Sequence, residues 1–331
     1  MTCIIASKFS RRRWVTAGVC VSCILFTVVG RSQDPADPLG IAATVNGAPI
    51  LVSEVERELQ IALGTRKIDA TAKPYLQAKT LAQLVDRTLI VQWLRATNRG
   101  ASDAEIDLEI SRLEKRLQPR GITLAAHLAA RQITAAEMRR LLAWQIGWRK
   151  FLARYLTDAN LEKHFNEHLR EFDGTRMHVA HILFKVEPDD ASGIEQSIRR
   201  ATEIRAAIVS GEITFEEAAK RHSTAPTSAQ GGDIGFIERH RPMHEAFSRA
   251  AFLLNKDEVS PPVVTPFGVH LVRCLEIEPG QRTWEEARDE LTTALTLYLF
   301  NWAAEKGRPK AEIRFTNALP HFEPGSETLA E

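Results

Sequence analysis

The spacing of the apolar residues changes once along the chain, near residue 177, and this change most constrains the fold. Before it, apolar residues recur every three to four positions, which predicts amphipathic helices, as in Leu81, Val85, Leu89 and Trp93. After it, the segment 178–184 has the pattern of a strand. Helices, a Gly-rich loop and a closing strand then follow within roughly 100 residues. This order predicts a compact α+β unit at residues 176–279.

Helix start signals mark the segment 41–173. Ser53, Ser102 and Thr134 are each followed three residues later by Glu, which is the spacing of a capping box. Asn46 and Gly47 favour a tight hairpin turn before the first helix. We therefore predict an all-helical unit at 41–173, preceded only by this hairpin.

A further helix is predicted after the inserted α+β unit. It begins at the Thr283–Glu286 capping box, and a short strand follows near Ile313. Its apolar spacing resembles that of the N-terminal helices, so we expect residues 283–316 to pack back on them. The tail 317–331 contains Pro, Gly, Ser and Glu and is predicted to be disordered.

The N-terminus has the pattern of an export signal. Three arginines at 11–13 precede an uncharged run of 17 residues from Trp14 to Gly30. Such a run suits a cleaved signal peptide and is also just long enough for a membrane anchor. We therefore predict that residues 1–33 direct the protein to the periplasm or cell envelope, either as a signal peptide or as an anchor at 14–30.

Charge and motifs exclude several classes of protein. The net charge is +1, with 43 basic and 42 acidic residues, so nucleic acid is not expected as a partner. The pattern Gly-x-Ser-x-Gly of one serine hydrolase class is absent.

His164 and His168 are four residues apart, as in the zinc protease motif. That motif requires Glu directly after the first His, and here Phe165 stands at that place. We therefore expect a solvated helix face there, with no metal and no cofactor. Metal analysis would test the remaining alternative, a metal-dependent envelope enzyme.

Five segments resemble motifs of the parvulin-type peptidyl-prolyl isomerases and follow in the same order. They are HVAHILF at 178–184, TFEEAAK at 214–220, GGDIGF at 231–236, the helix residues Met243 and Phe247, and TPFGVHL at 265–271. The flanking segments are similar to exported SurA-like and PrsA-like foldases. The resemblance implies an α+β fold in which a parvulin-like antiparallel-sheet domain with surrounding helices is inserted in an all-helical SurA-like chaperone module.

The resemblance also implies a site. Its polar residues would share a hydrogen-bond network beneath the active site and fix its geometry; they are His181, His270, Ser223 and Thr265. An apolar cup for the proline ring would consist of Ile234, Met243 and Phe247. Rotation about X–Pro must cross a barrier of roughly 18–20 kcal/mol, because the twisted amide loses its resonance. To catalyse this rotation, such a cup should bind the twisted amide more tightly than the planar one.

One position departs from the parvulin pattern. Parvulins usually carry Cys or Asp two residues after the network Ser, and here Ala225 stands at that place. The resemblance implies a peptidyl-prolyl isomerase and chaperone for unfolded or partly folded exported proteins with X–Pro bonds. The alternative is a holding chaperone whose parvulin domain binds proline-containing segments without catalysis.

Overall fold

The computed structural model describes residues 40–187, 190–240, 242–323, 325–326 and 328–330. The predicted export signal lies outside these residues. Within the described ranges, no helix is long and apolar enough to cross a membrane.

The first half of the described chain is a hairpin followed by helices. The bounds are β1 Ile41–Val45, β2 Ala48–Leu51, α1 Val52–Leu63, α2 Lys73–Ala96, α3 Asp103–Leu117, α4 Leu124–Ala129, α5 Ala135–Tyr155, α6 Asp158–Glu167 and α7 Leu169–Phe172. The hairpin turns at Asn46 and Gly47, both with positive φ, as their sequence predicts. The predicted helical module with an opening hairpin is thus present.

The helix caps agree with the sequence at two of the three predicted positions in this module. Ser102 and Thr134 accept hydrogen bonds from the amides of Glu105 and Glu137, as predicted. The box predicted at Ser53 is wrong. Strand β2 runs directly into α1, so Ser53 already lies in the first helical turn, and the Glu54 carboxylate instead accepts from the Leu51 amide at 2.9 Å.

The last helix and strand pack on this N-terminal module. Helix α11 (Arg288–Gly307) contributes Leu291, Leu299 and Ala303 to the core that contains Ile90 and Leu94 of α2. Strand β7 (Ile313–Phe315) pairs antiparallel with β1, so the sheet order is β2-β1-β7.

The described part of the tail differs from the predicted disorder. Leu319 is buried in the core beneath β1, and the Phe322 ring packs edge-on against Tyr75 at 5.4 Å. His321 stacks on Phe315 with ring centroids 4.6 Å apart. The polar composition of the tail does not predict these three contacts. They offset part of the conformational entropy that is lost when the segment becomes ordered.

The inserted domain is built on a four-stranded antiparallel sheet of order β4-β3-β6-β5. Its elements are β3 Arg176–Phe184, α8 Ala191–Val209, α9 Phe215–His222, β4 Asp233–Glu238, α10 Glu245–Phe252, β5 Val263–Thr265 and β6 Gly268–Glu278. Helices α8 and α9 cover one face of the sheet and α10 covers the other. The mixed fold class with an antiparallel-sheet domain within a helical module is therefore confirmed.

Candidate active site

A pair of histidines lies on the sheet face that α10 covers. His181 comes from β3 and His270 from β6, and their Nδ1 atoms are 3.2 Å apart. The two rings lie within 19° of parallel, and the residues are only 9% and 4% exposed. Side chains alternate across a strand, so this placement follows from the positions of His181 and His270 relative to buried Val179 and Val272.

Thr265 and Phe247 hold the histidine pair from two sides. The Thr265 hydroxyl lies 2.9 Å from His270 Nε2 and also accepts a hydrogen bond from the Phe267 amide. The Phe247 ring meets both imidazoles edge-on, at centroid distances of 5.7 Å to His181 and 5.3 Å to His270. These contacts leave each ring little freedom to rotate.

Burial keeps both imidazoles neutral. It lowers the pKa of His270 to about 4, with smaller contributions from the charges of His181 and His244, and it also lowers the pKa of His181. A neutral imidazole has one N–H, so one Nδ1 donates and the other accepts. The orientation of the Thr265 hydroxyl determines which imidazole donates to the other. When this hydroxyl donates to the Gly268 carbonyl, its oxygen accepts from His270 Nε2–H. His270 Nδ1 then has a lone pair and accepts from His181 Nδ1–H. The pair then carries no net charge.

Ser223, the fourth predicted polar residue, binds the backbone. Its hydroxyl accepts from the backbone amides of Leu183 at 3.1 Å and Ala225 at 3.2 Å. It therefore ties the loop after α9 to strand β3. Of the four predicted polar residues, the structure brings His181, His270 and Thr265 into one network and gives Ser223 this backbone-binding position.

The three predicted cup residues lie in one cluster on the same face. Phe247 is 1% exposed and belongs to the core, while Ile234 and Met243 are half-buried and pack against that core. Ala225 is 3% exposed. The arrangement is a partly exposed apolar cluster whose buried member, Phe247, contacts a neutral, hydrogen-bonded histidine pair.

The Gly-rich loop fastens β4 beside His181. Gly232 has a φ of 83°, and a Cβ there would lie 2.2 Å from the His181 carbonyl oxygen, so glycine is required. Its own carbonyl accepts from the His181 amide at 2.8 Å. The Gly-rich loop predicted between the helices and the closing strand is thus a tight turn with positive φ.

The sequence analysis missed a second polar pair next to this loop. The Asp233 carboxylate accepts from the Gly235 amide and lies 2.8 Å from His178 Nε2. Although burial raises the pKa of Asp233, these two hydrogen bonds hold it below its usual value. The available signal was that His178 lies on β3, the strand that carries His181, and that Asp233 directly follows the two glycines of the turn.

Comparison with known families identifies the class of both modules. Residues 181–276 match the family model described as PPIC-type PPIASE domain, and residues 7–152 match the model described as SurA-like N-terminal domain. The chain therefore contains a PPIC-type isomerase domain and a SurA-like N-terminal domain. This confirms the resemblance predicted from the motifs.

Two curated relatives are named as a chaperone and as a foldase. Chaperone SurA of Bordetella parapertussis is 37% identical over 105 residues, which are 31% of this chain and 19% of that protein. Foldase protein PrsA of Bacillus subtilis is 40% identical over 121 residues, 35% of this chain and 40% of that protein. The chain thus spans less than half the length of either relative. Among solved structures, the peptidylprolyl isomerase PrsA from Bacillus anthracis aligns with 69% of this chain and 94% of its own, at 17% identity and a TM-score of 0.34.

Proposed function

We propose that residues 176–279 catalyse cis–trans isomerisation of X–Pro bonds. The observation that carries this proposal is the apolar cluster of Ile234, Met243 and Phe247 in contact, through the Phe247 ring, with the neutral pair of His181 and His270. Amide resonance places opposite partial charges on the carbonyl oxygen and the nitrogen, and twisting the bond removes that resonance. A site without charge and with little water disfavours the polar planar amide more than the twisted one, so it lowers the barrier.

The roles of the site residues follow from their positions. Met243 and Ile234 would contact the pyrrolidine ring, since each is half-buried, reaches solvent and packs against the same core as Phe247. Phe247 would support the ring from below and also fix both imidazoles. His181, His270 and Thr265 would act as positioning residues that keep the site neutral, and Ser223 would position the loop that carries Ala225.

One observation favours a second candidate, a domain that holds proline segments without efficient catalysis. The methyl group of Ala225 is buried at the place where parvulins usually carry Cys or Asp. It cannot donate, accept or carry charge. One preorganised electrostatic contact at a reacting centre is worth roughly 2.7–4 kcal/mol elsewhere, so its loss would slow turnover by about two to three orders of magnitude.

An exchange assay distinguishes the two candidates. The rate of X–Pro isomerisation in a set of short peptides would be measured by NMR with the wild-type protein, with Ala225→Asp and with Ala229→Asp. Ala229 is exposed in the same loop, so its variant controls for added charge. Measurable wild-type turnover supports the isomerase. Wild-type inactivity together with activity in Ala225→Asp alone supports the holding protein, and inactivity of all three refutes the catalytic proposal.

We further propose that the helical module holds unfolded or partly folded exported chains with X–Pro bonds. In support, a cleft of about 520 Å³ opens between its helices, lined by apolar side chains of Leu84, Val91, Ile106, Leu141 and Trp144. Arginines at its rim are paired with carboxylates, as in Arg87–Glu58 and Arg140–Glu54. The paired rim is close to neutral, so the cleft would select apolar segments by burial and not by charge.

The proposed location is the periplasm or cell envelope. The basic and apolar N-terminal segment supports export, with residues 14–30 as an anchor if the signal is not cleaved. Mass spectrometry of envelope fractions tests this proposal. A full-length cytosolic species that retains Met1 would refute it.

A further inference from the structure

A cluster of metal-ligating side chains lies where the helical module meets the inserted domain. Helix α6 ends at Glu167, α7 begins at Leu169, and His168 between them leaves helical geometry with a ψ of 36°. His164, Glu167 and His168 each offer a ligand atom, and these atoms all lie within 4.8 Å of one another. The isomerase and chaperone functions proposed above do not use these residues.

The spacing of these atoms suits a transition-metal ion. Bonds of roughly 2.0–2.2 Å in a tetrahedral site place the ligand atoms about 3.3–3.5 Å apart. Side-chain rotations that move these atoms by about 1 Å would therefore bring them to the distances that such an ion requires. His164 is half-buried, whereas Glu167 and His168 are exposed, so an ion could enter from solvent.

Glu171 supplies the outer hydrogen bond that metal-binding histidines usually have. Its Oε1 lies 3.2 Å from His168 Nδ1, which leaves Nε2 of that ring with a lone pair for an ion. Its Oε2 accepts from Arg239 Nε at 3.0 Å. Arg239 is 7% exposed and binds both oxygens of Glu245, the first residue of α10. A continuous polar chain therefore runs from His168 to the helix that carries Phe247.

We propose that His164, Glu167 and His168 bind one Zn²⁺-class ion, with Glu171 orienting His168. Two imidazoles and one carboxylate suit zinc, nickel or copper and not magnesium or calcium, which prefer oxygen ligands only. Three protein ligands leave a fourth position for water. The ion would tie the end of α6 to Glu171 and, through Arg239, to α10.

Metal titration of the purified chain, produced without a polyhistidine tag and stripped with a chelator, tests this proposal. We expect one Zn²⁺ site by calorimetry, and Co²⁺ should give a visible absorption band from nitrogen and oxygen ligation. Both signals should disappear in the double variant His164→Ala/His168→Ala. The chain's four cysteines are present in both proteins, so the difference between them reports on the cluster.

Two milder variants guard against loss of fold. Glu167→Gln keeps the side-chain shape and should weaken Zn²⁺ binding at least tenfold, and Glu171→Gln should weaken it by roughly 10–100-fold through the outer hydrogen bond. His127→Ala, which removes a histidine on α4, should leave the affinity unchanged. The proposal is overturned if the wild-type chain binds no Zn²⁺ at micromolar concentrations, or if the cluster variants bind as tightly as the wild type.

Discussion

The buried histidine pair should make the inserted domain less stable in acid. The pKa of His270 is about 4 in the folded protein, against 6.5 for the free side chain. An unfolded chain takes up this proton as pH falls below 6.5, while the folded domain does not until about pH 4. The contribution of neutral His270 to the free energy of unfolding is therefore complete above pH 6.5 and lost by about pH 4. A gap of 2.5 units corresponds to roughly 3 kcal/mol of unfolding free energy.

Native-state hydrogen exchange measures this contribution where it arises. Peptides covering β3 (Arg176–Phe184) and β6 (Gly268–Glu278) would be followed by mass spectrometry at several pH values between 6.5 and 4, after correction for intrinsic exchange. We expect the opening free energy of these strands to fall by up to roughly 3 kcal/mol across the window in the wild type. In His270→Gln the fall should be smaller, because glutamine does not titrate and of the buried pair only His181 still does.

The slope against pH, and not the absolute stability, is the decisive quantity. His270→Gln also disturbs the bonds to Thr265 and His181, so a uniform loss of stability is expected at every pH. His240→Gln, the same change at an exposed position, should keep the wild-type slope. Equal slopes in the wild type and in His270→Gln would show that this imidazole is not held neutral by burial and would refute the reasoning.

Three further predictions concern the cup, the cleft and the polar chain. Met243→Lys, which places a charge in the half-buried cup, should reduce X–Pro isomerisation at least tenfold with an unchanged circular dichroism spectrum; an active, folded variant would show that the cup is elsewhere. Leu141→Glu in the cleft should shorten the delay of client aggregation in a light-scattering assay, whereas Leu297→Glu, at an exposed apolar site on α11, should not. Arg239→Gln breaks two ion pairs and should speed amide exchange over residues 245–252, and unchanged exchange would exclude that coupling.

The sequence predicted those parts of the fold that depend on near neighbours. The Ser102–Glu105 box and the turn at Asn46 involve residues at most three apart, so their local pattern determines them. The Ser53 box was wrong because the end of β2, and not the cap, sets where α1 begins. The anchors of the tail depend on Tyr75 and Phe315, which no local pattern in the tail reveals.

The site shows the same division between local and distant contacts. The resemblance predicted that His181, His270 and Thr265 share one network, and the sheet brings these three side chains within hydrogen-bond distance, because parvulin motifs record strand positions that the sheet then aligns. It did not predict the bond of Ser223 to the Leu183 amide, since this bond spans 40 residues and depends on how the loop returns to β3. The Glu171–Arg239 pair spans 68 residues and joins two modules, so no single motif contains it.

The insertion of the isomerase domain depends on how its two ends meet. The Asp173 carbonyl accepts from the Arg282 amide at 2.8 Å, and Thr175 Oγ1 accepts from the Gly280 amide at 3.1 Å. A Cβ on Gly280 would lie 2.0 Å from the Asp173 oxygen, so only glycine permits this approach. The strands leading inward, β3 and β6, are themselves paired over residues 176–184.

This closed junction has a consequence for how the helical module can form. Helix α11 must return to α2 across the whole inserted segment, and closing a loop of that length costs conformational entropy before any contact compensates for it. Once β3 and β6 have paired, the ends of the insert at Asp173 and Arg282 are already adjacent. The loop that docking of α11 must still close is then short. Folding of the inserted domain before α11 docks is therefore the route with the lower entropic barrier, because it converts a distant contact into a local one.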